Sequence, residues 1–279
     1  MKWEDRGRSR NLEDRRAAGP ARMGIPLGIG GVVLVYVLSL VTGVDLTSIL
    51  GGGPSSQVSS PPVSQEELAA EEEQVRFVSF VLDDLQDTWT QMIQGQYPDA
   101  TLVLYRDAVE SGCGTAPAAA GPFYCPLDTS VYVDLSFYDT LRQRYGAPGD
   151  FAQAYVLAHE IGHHIQNLTG TLSQVRQGQQ SSPGQANELS VALELQADCY
   201  AGVWAASAGA RGLLEGGDVQ EGLNAAAAVG DDRLSGMAGR SANQETFTHG
   251  SSEQRMAWFQ NGFEGGDPNA CDTFSASTF

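Results

Sequence analysis

Three of the four histidines in the chain lie in one short segment, AYVLAHEIGHHIQNLTG, at residues 154–170. The segment predicts a helix, on which residues four apart lie on the same face. His159 and His163 therefore direct two imidazoles to one point, with Glu160 beside them. This H-E-x-x-H spacing is typical of two zinc ligands and a general base. The alternative is a polar helix face that carries histidines without a metal.

A second segment, ELQAD, offers the further ligand that a catalytic zinc site needs, since such a site combines three protein ligands with one open position. Glu194 and Asp198 are again four residues apart. Glu194 can bind the metal, and Asp198 can accept a hydrogen bond from the other ring nitrogen of a zinc-binding histidine. The alternative is a solvated acidic face, but the neighbouring positions are apolar: Val191, Leu193, Leu195 and Ala197. Two carboxylates on a mostly buried helix need partners.

Two residues in FTHGSSEQR are candidates for stabilising the oxyanion that forms when an amide is hydrolysed. His249 can donate a hydrogen bond to that oxygen, or it can cap the helix predicted to begin near Ser251, although serine is the better cap. Arg255 is the second candidate, and an ion pair with an acid of this negative chain is the simpler role for it. His164 points to another face of its helix, where packing or a surface hydrogen bond is expected.

Regular secondary structure must hold these groups in place, and apolar spacing predicts mainly helices. The predicted helices cover residues 66–94, 137–146, 149–167, a stretch that follows Pro183, 218–229 and 252–262. TLVLY (101–105) and SVYVDL (130–135) are rich in branched and aromatic residues, as strands are. Gly162 costs roughly 1 kcal/mol of helix stability relative to Ala, which predicts the close approach of another element near the metal. The elements predict an α+β fold in which helices dominate and a small sheet packs to one side.

The first 65 residues are organised differently. Residues 1–23 form an arginine-rich arm with a net charge of +3, and no residue between Arg22 and Asp45 is charged. The uncharged stretch predicts one transmembrane helix at residues 24–44, because about 20 apolar residues span a hydrocarbon core; a cleaved secretory signal is the alternative. The basic arm is expected in the cytoplasm and the rest of the chain outside it. The Gly/Ser/Pro-rich residues 45–65 predict a flexible linker, so the folded domain covers 66–279.

The charge of the chain excludes one class of partner. The formal net charge is −18, and the residues that follow the basic arm carry −21. Nucleic-acid binding needs clustered cations, so an acidic body of this kind argues against it.

The four cysteines suit an oxidising compartment. Cys113 and Cys125 bracket a short loop, which leaves Cys199 and Cys271 as partners for each other. Because the number is even and no C-x-x-C pair exists, we expect the disulfides Cys113–Cys125 and Cys199–Cys271. Four free thiols in a cytoplasmic protein are the alternative.

Four segments in order resemble the bacterial family of putative neutral zinc metallopeptidases: GPFYCPLDTSVYVDLSFY, AHEIGHHIQNLTG, ELQADCYAGVWA and FTHGSSEQRMAWFQNGF. The resemblance implies a gluzincin-like zincin fold and a peptidase with one zinc ion per chain. Carried over by motif, the zinc ligands are His159, His163 and Glu194, the general base is Glu160, and Asp198 orients a ligand histidine, most simply His159. In zincins an edge strand commonly aligns the peptide by strand addition, and SVYVDL is the candidate for that strand.

The residues and the resemblance together predict a membrane-anchored, extracytoplasmic zinc endopeptidase that acts on protein or peptide substrates. Zinc lowers the pKa of a bound water to roughly 7, and Glu160 would take the water proton and return it to the leaving amine. The alternative is a catalytically silent zinc-containing scaffold or binding module in envelope assembly. A structural zinc is normally closed by four ligands, with cysteines expected among them, and no cysteine lies near HEIGHH.

Overall fold

The computed structural model describes residues 1–18, 63–93 and 95–275. The helices in these residues are α1 (Gln65–Ala70), α2 (Glu72–Met92), α3 (Ser136–Gln143), α4 (Asp150–Leu168), α5 (Thr171–Ser181), α6 (Ala186–Ala210), α7 (Asp218–Ala228), α8 (Asp231–Met237) and α9 (Ser252–Gly265). The strands are β1 (Leu12–Asp14), β2 (Thr101–Tyr105), β3 (Ala108–Ser111), β4 (Gly114–Pro117), β5 (Phe123–Cys125) and β6 (Ser130–Asp134). The predicted helix-dominated α+β class is confirmed, and each predicted helix and strand is present, with α1 and α2 dividing the first helix between them.

Four strands form the main sheet, in the order β1-β2-β6-β5. β1, β2 and β6 are parallel, whereas β5 runs antiparallel to β6. β3 and β4 pair as a separate antiparallel hairpin. β5 is therefore an edge strand of the main sheet, and β6 is an interior strand.

Both faces of the main sheet are covered, which explains the nearly continuous apolar sequences of β2 and β6. Successive residues of a strand point to opposite faces. The residues that share a core with α2, α4 and α6 are Leu102, Leu104, Val131 and Val133. The residues on the other face, beneath the β3–β4 hairpin, are Val103, Tyr105 and Tyr132. The sheet thus fixes α4 from one side and the hairpin from the other.

Glycines let three helices approach closely around the site. A Cβ at Gly162 of α4 would lie 3.0 Å from both the Cα and the carbonyl oxygen of Ala197 in α6. This is the close approach that Gly162 predicted. Where α6 crosses α9, a Cβ on Gly202 or Gly262 would come within 2.0 Å of a backbone oxygen of the opposite helix. A larger residue at any of these positions would push the helices apart.

The two predicted disulfides are present. Cys113–Cys125 joins the turn between β3 and β4 to the end of β5. Cys199–Cys271 joins α6 to the segment that follows α9. Both bonds therefore brace elements that lie next to the predicted zinc-binding residues.

Residues 1–18 pack against the folded domain, which differs from the separate arm predicted at residues 1–23. β1 extends the main sheet beside β2, and the ring of Trp3 packs on that of Phe77 with centroids 5.6 Å apart. The fully buried Arg16 guanidinium pairs with Asp14 at 2.8 Å and Glu71 at 2.7 Å. An ion pair with Glu71, which is remote in the sequence, thus helps to neutralise an arginine of the predicted cytoplasmic arm.

The predicted membrane span at residues 24–44 lies outside the described residues, as does all but the end of the predicted linker 45–65. Among the residues that the structure does describe, no helix is both long enough and apolar enough to cross a membrane. The predicted folded domain is described up to residue 275, with residue 94 excepted.

Candidate metal centre

Helices α4 and α6 bring together the three residues that the sequence predicts as zinc ligands. His159 and His163 lie one turn apart on α4, and Glu194 faces them from α6. His159 Nε2 is 3.1 Å from Glu194 Oε2, and His163 Nε2 is 3.4 Å from Glu194 Oε1. One ligand atom from each residue lies within 4.8 Å of the other two. The three side chains therefore offer one compact set of two nitrogens and a carboxylate.

The spacing of these atoms fits a tetrahedral zinc ion. Bonds of about 2.0–2.1 Å at tetrahedral angles separate two ligand atoms by about 3.3 Å. The two separations run to different oxygens of Glu194, and at 3.1 Å and 3.4 Å they lie on either side of that value. Two imidazoles and one carboxylate are also the donor set of many catalytic zinc sites, in which the fourth position is open. The residues present thus fit the metal that the sequence predicts.

The ring of His159 is held by a buried carboxylate. Its Nδ1 donates to Asp198 Oδ1 at 2.8 Å, which leaves Nε2 as the nitrogen that can bind a metal once it has lost its proton. The Tyr155 hydroxyl also donates to Asp198 Oδ1. Arg255 donates from Nε to Oδ2 at 2.8 Å and from Nη2 to Oδ1 at 2.9 Å. Asp198 is completely buried, so these three donors supply the partners that its charge requires.

Arg255 therefore forms the ion pair that was its simpler predicted role. Its guanidinium is buried and directed at Asp198. Although burial disfavours the charge, Asp198 raises the pKa of Arg255 above its ordinary value. Because the guanidinium is committed to this carboxylate, the candidate oxyanion donor that remains is His249.

The ring of His163 is held by a glutamine that the sequence analysis missed. His163 Nδ1 donates to Gln166 Oε1 at 2.8 Å. The Gln166 amide in turn donates to the carbonyl of Leu193 at 2.7 Å and to Gln196 Oε1 at 3.1 Å. The signal was available, because Gln166 follows His163 by three residues on the predicted helix and so shares its face. Both imidazoles are thus fixed as Nδ1–H tautomers with Nε2 toward Glu194.

The charges of the three residues are strongly coupled. Burial disfavours the charged form of His159, but Asp198 and Glu194 outweigh it and raise the pKa of His159 to about 10. Burial also opposes ionisation of Glu194, yet His163 and His159 hold the pKa of that carboxyl well below its ordinary value. A cation bound here must displace the imidazole proton, so its affinity falls as the pH falls.

Glu160, the predicted base, is buried beside the ligand residues and lines the same cleft. Burial raises the pKa of its carboxyl, while the nearby histidines and the backbone N–H of Tyr124 on β5 act in the opposite direction. A carboxylate with a raised pKa is a better proton acceptor for chemistry near neutral pH.

The prediction that SVYVDL aligns a substrate is wrong. β6, which holds this sequence, is paired by β2 on one side and by β5 on the other, so it has no free edge. The edge strand next to Glu160 is β5, whose Tyr124 lines the cleft. β5 has only three residues, FYC, which is too short for alternation to reveal it in the sequence.

His249 lines the same cleft and is paired with an aspartate. Its Nδ1 lies 3.2 Å from Asp231 Oδ1. Asp231 Oδ2 accepts the backbone N–H groups of Thr248 and His249, both at 2.7 Å. Although burial disfavours the imidazolium, Asp231 and then Glu194 raise the pKa of His249. No local pattern in the sequence indicates Asp231, which begins α8 and reaches His249 only through the fold.

His249 is not the cap of α9. Ser251 caps that helix through a bond from the Gln254 backbone N–H to its side chain, and Gln254 completes a capping box. The alternative role that the sequence left open for His249 therefore belongs to Ser251.

His164 lies in the interior, so the expected packing role is confirmed and the surface alternative is wrong. Its Nδ1 accepts from the Tyr124 hydroxyl at 2.9 Å, and its Nε2 donates to the carbonyl of Pro98 at 2.8 Å. Burial lowers the pKa of His164, which keeps the ring neutral. The histidine thus ties α4 to the edge strand β5.

A cleft of about 790 Å³ is lined by the three candidate ligands, Glu160 and His249. One wall comes from the segment 118–126, which includes β5, and another from α3 and α8. The floor carries His159, Glu160, His163 and Glu194, with His249 and Arg255 beside them. The arrangement can hold an extended chain across a metal, with one base and one imidazole donor within the same space.

Comparisons with known proteins were made for the whole chain. A family model described as putative neutral zinc metallopeptidase matches residues 1–274. The uncharacterized protein YpfJ of Escherichia coli (strain K12) is 46% identical over 290 residues, which cover 99% of this chain and 100% of that protein. The uncharacterized protein Rv2575 of Mycobacterium tuberculosis (strain ATCC 25618 / H37Rv) is 46% identical over 200 residues, 68% of this chain and 67% of that protein. No solved structure matches the chain.

Proposed function

This chain belongs to the family of putative neutral zinc metallopeptidases, and on that premise we propose that it is a zinc endopeptidase that hydrolyses protein or peptide substrates with one zinc ion per chain. The observation that carries the proposal is the convergence of His159 Nε2, His163 Nε2 and the Glu194 carboxylate at 3.1 Å and 3.4 Å, beside the buried Glu160. A scaffold would need the three donors, but it would have no use for a buried carboxylate next to them.

Each polar group of the cleft has a part in the proposed reaction. His159, His163 and Glu194 would hold the zinc ion, which would supply a Lewis acid and lower the pKa of water at the site to about 7. Glu160 accepts the proton of the attacking water and later delivers it to the leaving amine. His249 donates a hydrogen bond from Nε2 to the carbonyl oxygen of the substrate as negative charge develops on that oxygen. Asp231 accepts a hydrogen bond from Nδ1, so that both ring nitrogens carry a proton.

The substrate backbone is proposed to lie along β5. This strand is the antiparallel edge of the main sheet, and an extended peptide can add to a free edge through main-chain hydrogen bonds. The backbone N–H of Tyr124 lies close enough to Glu160 to influence its pKa, so a peptide along β5 would pass near the base. The disulfide at Cys125 anchors the end of this strand.

The proposed location is outside the cytoplasm. The two disulfides favour an oxidising compartment. Membrane association is assigned to residues 24–44 on sequence grounds alone. Because residues 1–18 pack against the folded domain, a single crossing at residues 24–44 would separate two parts that are in contact. The proposal therefore does not include the single-pass topology with a cytoplasmic N-terminus.

Zinc removal tests the proposed function directly. The purified full chain is expected to contain one zinc ion by metal analysis and to cleave members of a peptide library. Chelation should remove both zinc and cleavage, and stoichiometric zinc should restore both, because the three donors are the only ones assigned to the ion. A chain that binds one zinc ion and cleaves no peptide of the library would contradict the proposal and favour the scaffold.

Replacing the imidazole donor is expected to slow the reaction without loss of metal. His249→Ala should lower kcat by about 10²–10³-fold, the effect of removing one oxyanion donor, and should leave the zinc content unchanged. The matched control is Ser251→Ala, which removes the helix cap and should cost about 1 kcal/mol of stability with kcat preserved. Equal kcat values for His249→Ala and the parent would exclude the donor role.

A further inference from the structure

The cleft is basic away from the proposed zinc site, although the chain is strongly acidic. The net charge of the chain is −18. Among the described residues that line the cleft, the acidic ones are Glu160 and Glu194, and both belong to the proposed catalytic centre. Arg144, which follows α3, and Arg176 of α5 also line it, and both side chains are exposed. The charge of these walls is thus opposite in sign to that of the molecule.

These two arginines are not committed to ion pairs within the part of the chain that the structure describes. The guanidinium of Arg144 lies over the ring of Tyr145, 6.0 Å from its centroid, which leaves its N–H groups available. Two nearby arginines, by contrast, do have partners in the fold. Arg142 on α3 pairs with Asp139 at 2.7 Å, and Arg233 on α8 donates to the carbonyl of Tyr145 at 2.6 Å.

The rest of the lining is mainly apolar. Its larger side chains include Phe123, Phe137, Leu172, Leu193 and Met237. Met237 is 41% exposed, one of few large apolar side chains with such exposure among the described residues. Apolar walls favour apolar side chains of a substrate through burial, but they do not offer a partner for a charged one. The two arginines are the groups that can select charge.

We infer that the cleft selects peptides in which a carboxylate accompanies apolar side chains, and that Arg144 and Arg176 are the specificity-determining residues whose positive charge selects this carboxylate. The inference rests on the proposed peptidase function and specifies its substrate class. Arginine suits the role because its planar fork binds a carboxylate with two parallel hydrogen bonds. The carboxylate belongs either to an Asp or Glu side chain or to the C-terminus of the peptide. A Lys side chain in the cleft has the same sign of charge as these arginines and is disfavoured.

A matched set of fluorogenic peptides tests the inference on the zinc-loaded full chain. The peptides share one apolar sequence and carry Glu, Gln or Lys at a single position, each with a free or an amidated C-terminus. We expect kcat/KM for the carboxylate peptides to exceed that for their neutral counterparts by about three- to fivefold at low salt, and the advantage to shrink at high salt. Equilibrium binding to the Glu160→Gln protein, measured by fluorescence anisotropy, should show the same order without turnover.

Variants then locate the charge selection. Arg144→Gln/Arg176→Gln should remove the preference for the carboxylate peptides in both assays. Arg142→Gln is the matched control, since Arg142 is an exposed arginine of α3 that is paired with Asp139 and does not line the cleft, and it should keep the preference. A preference for Glu over Gln identifies the carboxylate as a side chain, and a preference for the free over the amidated C-terminus identifies it as the end of the peptide. Either result supports the inference.

Failure of the inference is distinguishable from failure of the proposed function. Equal cleavage and equal binding of the Glu, Gln and Lys peptides would overturn the inference while the peptidase function stands. Retention of the preference in the double arginine variant would overturn it as well. Absence of cleavage for every peptide, with zinc bound, would contradict the proposed function, and the anisotropy assay would still report whether the arginines select carboxylates.

Discussion

Glu160→Gln is expected to retain zinc and to lower kcat/KM by about 10²–10⁴-fold, the range that a positioned general base contributes. The side chain of Gln has the shape of the native one, but its amide cannot accept a proton from water. Glu160 is not one of the three donors assigned to the ion, so its replacement leaves the metal site intact. Zinc content from metal analysis and cleavage of a fluorogenic peptide, measured on the same sample, check the two halves of the expectation.

The matched control for this variant is Glu188→Gln. Glu188 lies on α6, one of the two helices that build the site, but it is exposed and does not line the cleft. The control should keep the activity of the parent within about twofold, as surface changes usually do. If Glu160→Gln with bound zinc cleaves as fast as Glu188→Gln, the base is another group and the proposed mechanism is wrong.

The grouping of His159, His163 and Glu194 was predictable because the spacing of the motif residues on each helix is local. His159 and His163 are four residues apart, as are Glu194 and Asp198, and helical periodicity puts each pair on one face without further information. Spacing along the sequence does not show that the two helix faces meet. The apolar neighbours of Glu194 nevertheless indicated that its carboxylate is buried and needs a partner. The helix bounds followed from the same periodicity, and Gly162 indicated the close crossing that the structure shows.

The supporting groups were not predictable in the same way. Asp231 reaches His249 across 18 residues, and Tyr155 meets Asp198 across 43, distances over which sequence spacing carries no signal. β5 has three residues and cannot show an alternating pattern. The packing of residues 1–18 was missed for a related reason, because Arg16 meets Glu71 only 55 positions further along the chain. The net charge of residues 1–23 indicated a basic cytoplasmic arm. In the structure, ion pairs such as those of Arg16 with Asp14 and Glu71 make residues 1–18 part of the fold.

Asp198→Asn is expected to destabilise the metal-free protein by about 3–5 kcal/mol, the cost of leaving a buried ion without its partner. Arg255 is buried with its guanidinium on Asp198, and Asn offers it no charge. The variant should also bind zinc about 10–100-fold more weakly, because His159 loses the carboxylate that fixes its tautomer. Urea unfolding of the chelated protein and a zinc titration measure the two effects separately. Asp139→Asn, which breaks an exposed pair with Arg142, is the control and should cost less than about 1 kcal/mol.

Replacing both members of the pair, as in Asp198→Asn/Arg255→Met, removes the uncompensated cation and should recover part of the lost stability. The pH dependence should change as well. Burial opposes ionisation of Asp198, but Arg255 and His159 hold the pKa of its carboxyl below the ordinary value, so its stabilising effect is present at neutral pH and is lost as the pH falls through that lowered pKa. Asp198→Asn should therefore lose less stability on acidification than the parent. If the double variant is no more stable than Asp198→Asn, the role of Asp198 is not to compensate the buried charge of Arg255.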